Sequence, residues 1–251
     1  MFKKLIKKAI VRTICNNNID IRIMRLRLEY FMANHSDISL ILSLDDSPGP
    51  PDSMLLNLFS VLINDAMNIK LSLLSERKAP SFVHLWPGEH YRLLGALVHT
   101  IRPKRVVEIG TYTGLSSLAI LMALPSDSSL TTIDIVPWNN VKGSFLRVED
   151  FQDGRFQQII ADPSTQNVYA NYIEVFKNAD VIFVDAAKDG IFEQKLIDNF
   201  KLFGVRDGAI VIFDDIRFMN MINIWRNIEK PKLDITSIGH WTGTGIVHWV
   251  I

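Results

Sequence analysis

From residue 87 to the C-terminus, short β-branched runs alternate with helix-length amphipathic runs, and this alternation restricts the chain to very few folds. The strand-like runs are RVVEI at 105, SLTTIDI at 129, FQQIIAD at 156, DVIFVDA at 180, GAIVIFDD at 208, DITSIG at 234 and GIVHWVI at 245. Between them lie helical patterns: PGEHYRLLGALVHTI with Pro87 at a first-turn position, GLSSLAILMAL, NVYANYIEVFKNA, IFEQKLIDNFKLF and the stretch from Phe218 to Ile228. The first five strand runs are apolar on both faces, as strands of a parallel sheet covered by helices must be. The pattern predicts a doubly wound α/β sheet, whose ligand site lies at the carboxyl ends of the strands. Residues that end each strand are therefore the candidates for function.

The first strand run passes into a glycine turn, V-V-E-I-G-T-Y-T-G-L-S-S, where Gly110 and Gly114 permit the tight turn and close helix packing. A dinucleotide fingerprint needs glycine at 112 and 115, and the chain has Tyr112 and Leu115. A pyrophosphate cannot approach the backbone past a tyrosine, which argues against a nicotinamide oxidoreductase. The strand ends supply carboxylates instead: Glu108, Asp134, Asp162, Asp185, and the pair Asp214 and Asp215. Each alone reads more readily as a helix cap or a solvated loop residue, but five successive strands ending this way form an acidic mouth. Such a mouth repels phosphates. It suits ribose hydroxyls, an adenine amino group and a sulfonium cation, the donor and positive groups of S-adenosylmethionine.

Ahead of this region the character changes. In the first thirty-five residues eight Lys or Arg face two acidic residues, a local charge of +6 that the remainder offsets with −6. The opening MFKKLIKKAIVRTIC sets Phe2, Leu5, Ile6, Ala9, Ile10 and Ile14 at helical spacing among lysines. This describes a basic amphipathic helix and no signal peptide, because Lys7, Lys8 and Arg12 interrupt any apolar run. Residues 1–15 suit a subunit or intramolecular contact, or a peripheral contact with the anionic inner face of a membrane. The segment IDIRIMRLRLEYF is undecided between helix and strand. The Pro- and Gly-rich run at 45–53 reads as a linker, dividing a basic extension, 1–52, from a second domain, 53–251. MLLNLFSVLINDAMNIKLSLL, capped by Asp52 or Ser53, is apolar almost all round, and its polar interruptions favour burial under a lid or in a homo-oligomer interface over a membrane span. Zero overall charge disfavours nucleic acid as a partner. The single Cys15 excludes a disulfide framework and a cysteine zinc site, and suits a cytoplasmic protein.

The stretch from Pro87 to about Phe218 resembles the class I S-adenosylmethionine-dependent methyltransferases, and within them the catechol and caffeoyl-CoA O-methyltransferase group with its bacterial relatives. The resemblance rests on VVEIGTYTGLSSLAI, with tyrosine replacing the middle glycine, then TTIDI, ADVIFVDAAKDG and GAIVIFDD in that order. It implies a seven-stranded Rossmann-like methyltransferase sheet whose last strand is antiparallel, with Gly239, Gly243 and Gly245 in the closing hairpin, behind a helical N-terminal extension. It also implies that Glu108 and Gly110 line the methionine end of S-adenosylmethionine, with Tyr112 and Ser116 beside it and Gly114 completing the turn. Asp134 would grip the ribose hydroxyls, and Asp162 would lie near the adenine.

In that group D-x-x-K follows the fourth strand and Asp-Asn the fifth. Asp185-Ala186-Ala187-Lys188 matches, whereas Asp214-Asp215 departs by one residue. The implied metal site is Asp185, Asp214 and Asp215, for Mg²⁺ or another divalent cation. Without a cation, three converging carboxylates are expected to repel one another and raise their pKa values; the metal-free alternative makes Asp215 a helix cap. The implied activity is methyl transfer to a hydroxyl of a small molecule or sugar, with Lys188, desolvated and neutral, taking the proton, and Asp185 beside it. His84, His90 and His240 are reserve bases. Trp241 is a candidate for an acceptor pocket, while Trp86, Trp138 and Trp225 read as core. D-A-A-K replaces the [DN]-P-P-[FYW] expected of nucleic-acid or protein N-methyltransferases. The competing reading is a non-catalytic S-adenosylmethionine-binding or scaffold protein recruited through its basic N-terminal helix.

Overall fold

In the computed structural model, which describes residues 52–85 and 90–251, the alternating runs fold into one seven-stranded sheet with helices on both faces. The basic helix expected at 1–15, the undecided segment after it, the linker up to residue 51, and Trp86 and Pro87 lie outside the described residues. Helices α1 (Ser53–Asn68) and α2 (Ser72–Glu76) precede α3 (Tyr91–Ile101), β1 (Arg105–Ile109), α4 (Leu115–Ala123), β2 (Ser129–Asp134) and β3 (Phe156–Ile160). Then come α5 (Gln166–Asn171), α6 (Ile173–Lys177), β4 (Val181–Val184), α7 (Ile191–Phe203), β5 (Ala209–Asp214), α8 (Met221–Arg226), β6 (Lys232–Asp234) and β7 (Thr244–Trp249). The strand order is β3-β2-β1-β4-β5-β7-β6. Strands β1 to β5 are parallel, and β7 runs antiparallel between β5 and β6.

Two-residue periodicity sorts the apolar side chains of the sheet into two cores. Val106, Val181, Phe183, Ile210 and Ile212 pack under α1, α3 and α4. Their neighbours Val107, Ile109, Ile182, Val184, Val211 and Phe213 pack under α5 to α8. The central strands β1, β4 and β5 are thus buried on both faces as expected. Strand β3 is not: it forms the sheet edge, and Ile160 there is exposed.

Three expected boundaries shift. The sixth strand is Lys232–Asp234, because Asp234 turns the chain by accepting from Thr236 N at 2.9 Å, so ITSIG is a turn. Gly245 sits inside β7, where a Cβ would meet the Trp225 ring, so only Gly239 and Gly243 belong to the hairpin loop. The run 167–179 splits at Tyr172 into two short helices. Asp52, not Ser53, caps α1, its Oδ1 accepting from Leu55 N at 3.0 Å. That helix buries Leu55, Leu62 and Ala66 toward α3 and leaves Leu56, Val61 and Met67 exposed, so among the described residues its greasy surface is covered on one side.

Candidate active site at the carboxyl ends of the strands

The same periodicity that builds the core delivers the carboxylates. Glu108 follows Val106 by two, Asp185 follows Phe183 by two, and Asp214 follows Ile212 by two, so all three point toward the face covered by α3. The parallel register pairs Ile109 with Val184 and Val184 with Phe213, which sets Gly110, Asp185 and Asp214 level at the sheet's mouth. Asp185, Asp214 and Asp215 present oxygens within 4.8 Å of one another.

Between them lies Lys188. Its Nζ is 2.7 Å from Asp185 Oδ1, 2.9 Å from Asp215 Oδ2 and 3.7 Å from Asp214 Oδ2. Lys188 and Asp215 both adopt left-handed backbone angles, φ 60° and 59°, as does Tyr112 at φ 41°. Such angles are unfavourable for non-glycine residues and persist only where surroundings enforce them. For Lys188 the enforcer is buried Glu193 of α7, which accepts from Lys188 N at 2.7 Å and Gly190 N at 3.0 Å. No sequence motif had marked Glu193.

Two histidines complete the cluster. His90, at the start of α3, is buried against Phe183, with Nδ1 3.5 Å from Asp214 Oδ1. His240, in the loop between β6 and β7, holds Nδ1 3.3 Å from Asp214 Oδ2, 3.2 Å from Asp215 Oδ1 and 2.9 Å from Thr242 Oγ1. The loop is fixed because His240 N donates to Thr244 Oγ1 at 2.8 Å, and Thr244 pairs with Asp214 across β5 and β7. Sequence spacing, 150 residues apart, gave no sign that these reserve bases meet. His84 stays apart, 3.4 Å from Ser75 Oγ.

The expected mutual repulsion holds at Asp185, which the Asp214 charge helps to raise, but is outweighed at Asp214 and Asp215, which are lowered. Burial raises the Asp185 carboxyl, with Lys188 partly offsetting it. Burial also favours the neutral form of Asp214, but the His90 charge, the hydrogen bond with His240 and the close approach of His90 outweigh it and hold that carboxyl well below its ordinary value. Asp215 is lowered too, burial being outweighed by His240, Lys188 and Thr242. Burial alone would lower Lys188; the three carboxylates reverse this and raise it, so the amine is an ammonium. The expected neutral amine is therefore absent from this state. Burial is likewise overcome at His240, whose hydrogen bonds to Asp214 and Asp215 push it up to about 10.

On the cofactor side, Glu108 is fully buried and its carboxyl is pushed up to about 7, chiefly by burial, against hydrogen bonds from Ser116, Ser117 and Thr132. Its Oε1 has no hydrogen-bond partner among the described residues. Asp134 braces the glycine turn: Oδ2 accepts from Thr111 N at 2.9 Å and Tyr112 N at 3.0 Å. Asp162 accepts from Ser164 N at 2.9 Å after β3. Gly110 has φ 100°, and a Cβ there would stand 1.9 Å from Asp185 O, so only glycine lets β1 and β4 end side by side. At Gly114, φ 82°, a Cβ would strike Leu146. The Tyr112 ring is 73% exposed, Trp225 is core, Trp138 stacks on Phe151, and Trp241 is exposed at the rim. A cleft of about 490 Å³ lies at the amino ends of the strands among Lys104, Arg105, Asp127, Arg155 and Arg206, remote from this cluster.

An O-methyltransferase family model matches residues 84–223, more than half of the chain. A probable caffeoyl-CoA O-methyltransferase 3 of Dictyostelium discoideum is 28% identical over 59% of this chain and 58% of its own length. Caffeoyl-CoA O-methyltransferase 1 of Arabidopsis thaliana is 32% identical over 51% of each. The chain thus spans about half the length of the curated relatives it matches. A solved putative caffeoyl-CoA O-methyltransferase from Staphylococcus aureus shares the fold, with TM-score 0.53 and 18% identity over 77% of this chain and all of that one. An SAH-bound methyltransferase of Podospora anserina does so with TM-score 0.51 and 18% identity over 82% and 99%. With its seven-stranded sheet, its glycine turn and the matched span from His84 to Asn223, the chain belongs to the O-methyltransferase family.

Proposed function

We propose that the protein transfers a methyl group from S-adenosylmethionine to a hydroxyl of a small molecule or sugar. The observation that carries this reading is the juxtaposition, at one sheet mouth, of the glycine turn with Glu108 and of the Lys188, Asp185, Asp214 and Asp215 cluster. S-adenosylmethionine fits the donor set: Glu108 Oε1 is a buried acceptor with no partner, and the carboxylates suit a sulfonium and ribose hydroxyls. Asp134 would hold the ribose, and Asp162 would face the adenine.

Methyl transfer needs an acceptor oxygen aligned with the S–CH₃ bond and relieved of its proton. The Lys188 ammonium and the His240 imidazolium stabilise negative charge developing on that oxygen. Asp185, the most exposed of the three carboxylates and the one raised by burial, would accept the hydroxyl proton. The three carboxylates also form a chemically suitable set for a hard divalent cation, which would polarise the acceptor hydroxyl. Lys188 would then yield its place among the oxygens.

Beyond the chemistry, we read the protein as cytoplasmic and homo-oligomeric, with residues 1–15 as a subunit contact or a peripheral contact at the inner membrane face. The exposed Leu56, Val61 and Met67 on α1 support association. Isothermal titration with S-adenosylmethionine, before and after Lys188→Met, tests the central claim. The wild type should bind, and the variant should bind comparably while losing transfer to small-molecule hydroxyls by about a hundredfold or more. Absence of cofactor binding would overturn the reading.

A further inference from the structure

We propose that His90, Asp214 and His240 form a second cation site, one that takes a borderline transition metal such as Zn²⁺, Co²⁺ or Mn²⁺ in preference to Mg²⁺. Three elements remote in the chain, the start of α3, the end of β5 and the loop before β7, bring one nitrogen each from two imidazoles and one carboxylate oxygen within 4.8 Å of one another. The edges are 3.5 Å from His90 Nδ1 to Asp214 Oδ1 and 3.3 Å from His240 Nδ1 to Asp214 Oδ2. A tetrahedral centre with metal–ligand bonds of about 2.0–2.1 Å has ligand–ligand edges of about 3.3–3.4 Å. These two edges end on the two different oxygens of Asp214, so the carboxylate spans the imidazoles, and a metal would draw both onto one oxygen or be held by both.

His90 points to a missing ligand. It is 4% exposed, and neither ring nitrogen has a hydrogen-bond partner among the described residues. Asp214 Oδ1, facing it across 3.5 Å, is equally without one. His90 Nδ1 and Asp214 Oδ1 thus meet as a long ion pair and not as a well-formed hydrogen bond, an incomplete pairing for two groups that burial has stripped of water. A metal ion between them would bond His90 Nδ1 and Asp214 Oδ1 directly, in place of the long ion pair. His240 Nδ1 instead shares contacts with Asp214, Asp215 and Thr242, so a metal there replaces a proton, not a void.

Imidazole selects the metal. Mg²⁺ prefers oxygen ligands in an octahedron, whereas two imidazoles and a carboxylate suit Zn²⁺, Co²⁺, Mn²⁺ or Fe²⁺. This distinguishes the site from the three-carboxylate set, with which it shares Asp214 but neither histidine. Three protein ligands leave a coordination position for an oxygen of water or of an acceptor hydroxyl. The site stands whether or not methyl transfer is the reaction, since metal binding is measured without S-adenosylmethionine.

The test uses the full chain stripped by chelator. Co²⁺, then Mg²⁺, is titrated by calorimetry and by visible absorption. The expected result is one Co²⁺ per chain with the ligand-field bands of a nitrogen–oxygen centre, bound more than about tenfold tighter than Mg²⁺. His90→Gln and His240→Gln should each weaken Co²⁺ by about tenfold or more, and Asp185→Asn should leave it within about twofold. If His90→Gln fails to fold by circular dichroism, His240→Gln carries the test. Co²⁺ binding no tighter than Mg²⁺, or binding lost in Asp185→Asn but kept in His240→Gln, would overturn the proposal, leaving His240 as an imidazolium paired with two carboxylates.

Discussion

At the scale of single residues, the site is organised by burial acting on charge. Glu108 shows the consequence most directly: its carboxyl is raised from 4.5 to about 7 because it sits wholly inside the protein. The folded chain then keeps a proton that the unfolded chain releases in that interval. Its contribution to stability is complete below about pH 4.5 and is lost as pH rises through about 7, by at most about 3 kcal/mol. Urea unfolding at about pH 5 and about pH 7 should show this fall in the wild type and a flatter dependence in Glu108→Gln. An equal slope in the variant would assign the fall to another group. His240, raised from 6.5 to about 10, works in a separate window: its contribution is present below about 6.5 and lost toward 10. At this scale D-x-x-K was legible as a motif, but the state of Lys188 was not, since three carboxylates from two strand ends set its proton affinity.

At the scale of elements, the close approach of β1 and β4 governs the site. Asp185 N donates to Ile109 O at 2.8 Å, so the Asp185 carbonyl cannot retreat from a Cβ placed at Gly110. Gly110→Ala should therefore lower stability by about 3 kcal/mol or more, or prevent folding. Gly154→Ala, also at positive φ but with open space around it, should cost only about 1 kcal/mol. Thermal melting of the two variants checks the contrast, and similar melting temperatures would mean that the strand ends separate readily. The strands of the central sheet were legible because burial on both faces writes continuous apolar runs. The edge strand β3 and the short β6 were misjudged in exposure or extent, because a run's local pattern does not record its place in the sheet.

For the whole molecule, the question is what meets the apolar surface of α1 and the charge of the first fifteen residues. Four lysines beside a short apolar stripe supply at most about 1 kcal/mol each near an anionic surface, enough only for reversible, salt-sensitive binding. Leu56, Val61 and Met67 remain exposed on α1 as well, which favours association between chains. Removing residues 1–15 is expected to lower the oligomeric state in sedimentation velocity, with no change in pelleting alongside anionic vesicles. Salt-sensitive pelleting of the full chain alone would transfer that segment to a membrane surface.

The sequence by itself determined the α/β alternation, the glycine turn and which strand ends carry carboxylates, because each is written in residues adjacent along the chain. Only the tertiary structure decided that Asp214 meets His90 and His240, that Glu193 holds the Lys188 loop, and that Lys188 is an ammonium. These depend on strand order and on loops returning from distant elements. Contact across such separations is fixed by packing in three dimensions, which no local periodicity encodes.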